Sequence, residues 1–306
     1  MVVPMLRNVL IFHAGALGDF VRSWPLGLAL GRLYPQSRII YITHRQKGEL
    51  AEKAIRLESM DIEAGWHHLF GDPAQLPDLC RKKLDAAHSI FTYLSKPGDA
   101  WMSAVAAIAP RAKLVSVEAH LLDSLASVPV VRAAVSQILA SIAAAGIRYP
   151  RKTYGAPVAV HPGSGSPAKC WPLDSYLSLI RMLQSAGHSC RILLGEVERE
   201  RWPAEQIHRL ESAAQTVRPA TYVDLLEELS QCWAFIGNDS GPGQLAGILG
   251  LPSVILFGPT DPAAWKPLGP SVTALRGQPL SSVSPEKIVQ TILRESPKAL
   301  CSAQTD

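Results

Sequence analysis

Short apolar runs ending on glycine-containing loops recur along the chain, with helix-period stretches between them. Val9-Leu10-Ile11-Phe12 leads into His13-Ala14-Gly15-Ala16-Leu17-Gly18-Asp19. An uninterrupted apolar run closed by glycine predicts a parallel strand buried on both faces. Phe20, Trp24, Leu28 and Leu30 then recur at helical spacing until Tyr34-Pro35 stops the pattern. Arg38–Thr43, Ser89–Leu94 and Lys113–Val117 read as further strands, and Val128–Ala145 as a helix broken at Pro129. The stretch 146–157 mixes Pro, Gly and cations without an apolar period, which marks a linker. The alternation then restarts. Val158-Ala159-Val160 opens onto His161-Pro162-Gly163-Ser164-Gly165-Ser166, with a helix over 173–186. Arg191–Leu194 ends at Gly195, Trp233–Ile236 at Gly237-Asn238-Asp239-Ser240-Gly241, and Ser253–Phe257 at Gly258-Pro259-Thr260-Asp261-Pro262. Strands alternating with helices in both halves predict an α/β protein of two doubly wound parallel sheets facing across a cleft. The expected domains are 1–150 and 151–306, with the last helix packing back on the first.

Composition narrows the class. The chain has 306 residues, 47% hydrophobic and 18% charged, enough to bury two cores and too apolar for disorder. No apolar run reaches the roughly 18–20 residues that cross a bilayer. The start lacks a basic segment followed by an apolar one and a cleavage site. Five scattered cysteines (80, 170, 190, 232 and 301) without a C-x-x-C give neither a disulfide framework nor a zinc knuckle. A cytoplasmic monomer is the expectation. The net charge of +4 is too mild for a nucleic-acid binder. Its distribution matters more: residues 1–155 carry +6 and residues 156–306 carry −2, which suits different partners for the two halves.

Ligands of open parallel sheets bind outside the carboxyl ends of the strands. His161–Ser166 and Asp239–Gly243 each join a strand end to a helix start, where free N–H groups and the helix dipole favour a phosphate. Lys169 adds a cation to the first loop, and Asp239 or Ser240 is the expected N-cap of the second helix. The plainer reading is that these glycines only make turns. Asp19 is either a helix-start carboxylate worth roughly 0.3–1 kcal/mol or a general base. No G-x-G-x-x-G follows the first strand, and there is no Walker loop. Ser240 lacks a G-x-S-x-G frame, and neither a D-x-D nor a metal-ligand spacing occurs.

His13–Asp19, His161–Ser164 with Lys169 and Trp171-Pro172, and Gly237–Pro242 through Leu256–Pro262 together resemble glycosyltransferase family 9. This is the family of ADP-heptose:lipopolysaccharide heptosyltransferases. The resemblance implies a GT-B architecture, an acceptor held by 1–150 and a nucleotide-sugar by 151–306. It implies inverting, metal-independent transfer without a cofactor, from an ADP-heptose-like donor to an anionic glycan or lipid-linked acceptor such as lipopolysaccharide core. Peripheral contact with the inner membrane surface would follow from such an acceptor. Asp19 falls on the family's catalytic aspartate. Ser164, Gly165 and Lys169 fall on positions holding the donor diphosphate, and Asp239, Ser240 and Gly241 on the loop beneath the sugar. Glu198 or Glu200 corresponds to a ribose-binding glutamate. His13, Arg22, His44, Arg45 and Lys47 are the acceptor-side candidates, or else ordinary surface residues. Two positions depart from the family: His13 replaces an Arg or Lys, and Gln244 a histidine. The alternative is therefore a nucleotide- or phosphate-binding protein of the same fold without turnover.

Overall fold

The computed structural model describes residues 7–118, 121–151 and 155–295. It divides into two compact units, Met1–Ala140 and Ser141–Asp306. The division falls inside a helix, ahead of the expected linker.

In the first unit the chain runs β1 (Asn8–Phe12), α1 (Leu17–Leu33), β2 (Arg38–Thr43), α2 (Arg45–Ile55), β3 (Glu58–Asp61), α3 (Asp78–Asp85), β4 (Ala87–Thr92), α4 (Ala100–Ile108), β5 (Lys113–Ser116) and α5 (Leu121–Ser124). The helix α6 (Pro129–Ala145) follows and crosses the division. The strands are parallel in the order β3-β2-β1-β4-β5. All five residues of β1 are buried, as an apolar run in a sheet centre requires. On one face Phe12 sits edge-on to Trp66 and Trp101, ring centroids 5.1 and 5.0 Å away. On the other, α1 lays Phe20 on Tyr41, and Tyr41 donates a hydrogen bond to the Ser23 carbonyl at 3.0 Å. Pro129 does not break a helix; it opens α6, where its missing N–H has no intrahelical partner to lose.

In the second unit the elements are β6 (Val158–His161), α7 (Leu173–Ser185), β7 (Cys190–Leu193), α8 (Glu196–Arg201), α9 (Ala204–Ala213), β8 (Gln215–Val217), α10 (Tyr222–Ser230), β9 (Ala234–Asn238), α11 (Gly241–Ile248), β10 (Ser253–Phe257), α12 (Pro262–Trp265), β11 (Val272–Arg276) and α13 (Pro285–Leu293). Six parallel strands lie in the order β11-β10-β9-β6-β7-β8. The last described helix, α13, buries Ile288, Val289 and Ile292 in this unit's own core, against α7.

Both sheets follow one winding rule. Their first three strands step outward to one side, and the chain then returns to the centre and steps outward to the other. The switch points lie between β1 and β4 and between β6 and β9. There the loops at the carboxyl ends part and leave backbone groups for a ligand.

Candidate functional site

At the switch point of the second unit, Asn238 ends β9 with its side chain fully buried. Its Oδ1 accepts from the Trp171 N–H at 3.0 Å and the Tyr176 hydroxyl at 3.0 Å. Its Nδ2 donates to the carbonyls of Pro162 at 2.7 Å and Gly163 at 3.1 Å. One amide thus fixes the loop after β6, the start of α7 and the end of β9. The Ser164 hydroxyl adds a bond to the Asp239 carbonyl at 3.1 Å. The two glycine-containing loops therefore form one rigid cluster.

Lys169 and Asp239 meet on that cluster, Nζ to Oδ2 at 2.8 Å, and the Thr260 hydroxyl donates to the same oxygen at 2.9 Å. The lysine side chain keeps 30% of its surface accessible while that of Asp239 keeps 8%. The cation is thus the member of the pair that meets solvent. Ser240 is the N-cap residue of α11, but its side chain makes no cap hydrogen bond, and its buried hydroxyl has no protein partner. Gly241 begins α11. Gly165 is exposed, with open space where a Cβ would stand. This places a Lys–Asp pair with its ammonium toward solvent, a hydroxyl and a helix start at a strand end, an arrangement that can take a diphosphate.

Of the two glutamates, Glu200 is exposed and Glu198 is buried. Glu198 Oε2 accepts from the Gly195 N–H at 2.7 Å and lies 3.9 Å from His161 Nε2. Burial lowers the pKa of His161, opposed by the Glu198 charge and by the Gly163 carbonyl, 3.1 Å from Nδ1. Gln244, the departure from the family pattern, is buried and donates to the Trp265 carbonyl at 2.7 Å, tying α11 to α12.

The switch point of the first unit holds His13, which follows β1. It lies level with Thr43 at the end of β2 and Tyr93 just beyond β4, since Phe12 pairs with both Ile42 and Thr92. His13 Nδ1, Thr43 Oγ1 and the Tyr93 hydroxyl are buried without a protein hydrogen-bond partner. The His13 ring packs on Tyr93 and Phe20, with centroids at 4.8 and 5.4 Å. Burial, then the nearby Lys47 charge, lower its pKa to about 4, so the ring is neutral at pH 7. Asp19 is exposed in the first turn of α1. Both residues flank Gly15: a Cβ there would stand 3.0 Å from His13 Cε1 and 3.6 Å from Asp19 Oδ2. Lys47 is not a surface cation. It is buried, and its ammonium donates to the carbonyls of Gly15 at 2.5 Å and Ala14 at 3.3 Å. Arg22 is half-buried. Arg45 is exposed with Nε 3.8 Å from Asp61 Oδ2, and His44 Nδ1 lies 3.4 Å from Glu63 Oε1. Among the described residues no cluster of three His, Cys, Asp or Glu side chains could hold a metal ion, and no helix is long and apolar enough to cross a membrane.

A family model described as glycosyltransferase family 9 (heptosyltransferase) matches residues 113–292, more than half of the chain. The chain belongs to glycosyltransferase family 9. Every donor-side candidate lies inside that stretch, and Asp19 and the acceptor-side candidates lie before it. Among curated relatives of this family 9 chain, lipooligosaccharide heptosyltransferase 2 of Haemophilus influenzae is 31% identical over 117 residues. That match takes in 36% of this chain and 33% of the relative, so it spans about a third of the relative's length. Among solved structures, the E. coli ADP-heptose lipopolysaccharide heptosyltransferase II superposes with a TM-score of 0.68 at 18% identity, covering 95% of this chain and 99% of that one. E. coli heptosyltransferase WaaC with ADP gives a TM-score of 0.67 at 16% identity over 94% and 100%. The two parallel-sheet units are thus those of the GT-B fold.

The roles of Asn238 and Thr260 are not visible in the sequence alone. Each stands inside a quoted motif, but the signal for its task is a partner 21 to 76 residues away, visible only in the folded chain.

Proposed function

We propose that this family 9 chain is an inverting glycosyltransferase that moves a heptose or similar sugar from a nucleoside-diphosphate donor to a glycan hydroxyl. The observation that carries the reading is the cluster of Lys169, Asp239, Ser164 and Thr260 at the start of α11, in a chain of this family. The donor diphosphate takes its charge-assisted contacts from Lys169 and the first N–H groups of α11. Ser240 offers its unpaired hydroxyl, and Glu198 or Glu200 the ribose contact. Relatives whose names specify ADP or ADP-heptose favour an adenine nucleotide.

Asp19 is the base in this reading. It takes the proton of the acceptor hydroxyl as that oxygen bonds to the anomeric carbon. The bond from this carbon to the diphosphate oxygen breaks, and the electron pair leaves with the nucleotide. Displacement from the opposite side inverts the centre in one step. Lys169 and the helix N–H groups neutralise the leaving group, so the transfer needs no divalent ion. The +6 charge of residues 1–155 suits an anionic, lipid-linked acceptor such as lipopolysaccharide core, met at the membrane surface.

A panel of nucleotide sugars incubated with the protein, with and without EDTA, tests this. ADP-heptose should be consumed in the presence of acceptor at a rate EDTA leaves unchanged. Saturable nucleotide binding without turnover would favour a binding protein, and dependence on added metal would contradict the mechanism.

A further inference from the structure

The loop that carries the chain from β1 into α1 cannot hold itself. Ala14, Gly15 and Ala16 are exposed and have no polar side chain, and Ala16, the N-cap of α1, makes no side-chain cap. Asp19 follows in the first turn of α1, so its carboxylate is placed by this helix together with the loop that leads into it. Beneath the loop lies Lys47, at the third position of α2, a residue only 6% exposed. Its ammonium spans two successive carbonyls, Gly15 at 2.5 Å and Ala14 at 3.3 Å. A buried ammonium is costly unless its donors are used and a counter-charge is near. The carbonyls use two of its three donors. Asp19 supplies the counter-charge, its field favouring the protonated lysine against the cost of burial.

We infer that Lys47 is a positioning residue: it pins the β1–α1 loop from below and fixes the place of the Asp19 carboxylate, without touching substrate. The inference rests on the reading of Asp19 as the base where turnover is concerned, and on geometry alone where the loop is concerned. It also removes Lys47 from the cations available to an acceptor.

Lys47→Met and Lys47→Arg in the full chain test it by two readouts. Hydrogen–deuterium exchange in a peptide covering 13–20 should quicken about tenfold in Lys47→Met, while peptides covering 38–43 and 87–92 stay at wild-type rates. The kcat should fall by about 10²-fold with donor KM unchanged, and Lys47→Arg, which keeps a cation with several donors, should recover much of both. Unchanged exchange over 13–20 overturns the inference. So does a rise shared equally by the two strands, which would make Lys47 a general stabiliser, and so does a wild-type kcat in Lys47→Met. Were the wild-type protein to transfer no sugar, the function proposed for Asp19 would fall, and the exchange measurement would still decide the role of Lys47.

Discussion

His13 occupies a sheet end between Tyr93 and Phe20 and is 2% exposed. Burial, then the charge of Lys47, bring its pKa from 6.5 to about 4. Between those values the unfolded chain binds a proton that the folded chain refuses. Stability should therefore fall on acidification from pH 6.5 to 4, by about 3 kcal/mol in full. Thermal midpoints across that window check this: His13→Gln should flatten the dependence, and parallel curves for the two proteins would contradict it. His13 thus stands as a neutral ring where the family resemblance leads one to expect a cation, while Lys47 brings a positive charge to the same loop from another helix. Lys169, by contrast, pairs with Asp239 and keeps 30% of its side-chain surface accessible. Lys169→Ala should weaken ADP binding by about 1.5–3 kcal/mol, and calorimetry giving wild-type affinity in the folded variant would remove Lys169 from the donor site. Of these three residues, Lys169 was legible from its loop. His13 and Lys47 were legible only as polar residues at strand ends, because burial is set by helices that pack over them.

At the scale of elements, eight strands were readable from their apolar residues: β1, β2, β4, β5, β6, β7, β9 and β10 fall within a residue or two of their expected places. Three of the four edge strands were not. Glu58-Ser59-Met60-Asp61, Gln215-Thr216-Val217 and Val272–Arg276 each pair on one side only. A strand half-covered in this way needs no apolar run, so its sequence resembles a loop. The joints between elements were also hidden, because they depend on side chains meeting across the sheet. Asn238 is the clearest of them, with four hydrogen bonds to residues in two separate segments. Asn238→Ala removes all four of these buried bonds and should cost at least about 3 kcal/mol. Chemical denaturation measures it, and a loss below 1 kcal/mol would mean that the loops hold without the amide. Gly163 is the steric counterpart. A Cβ there would stand 1.6 Å from Glu198 Oε1, so Gly163→Ala must expel Glu198 from its seat on the Gly195 N–H. A lowered thermal midpoint and weaker ADP binding are the expected result.

At the scale of the molecule, the chain repeats one winding plan twice and gives each copy different chemistry. The second unit carries the Lys169–Asp239 pair, the hydroxyls and the helix start proposed above to take a diphosphate, and the first carries an exposed carboxylate in the first turn of α1, after a loop pinned from beneath. Family 9 membership and the GT-B fold make these two halves of one transfer reaction in the function proposed above. That division of labour makes the halves separable by mutation. Asp19→Asn keeps the shape of the side chain and most of its hydrogen bonding but cannot accept a proton. Steady-state rates with an ADP-sugar, alongside calorimetric ADP affinity and the thermal midpoint, measure the central claim directly. The account predicts a rate lower by about 10²–10⁴-fold with ADP affinity and midpoint unchanged. A near-wild-type rate with a lowered midpoint would contradict it, leaving Asp19 as a helix-start carboxylate.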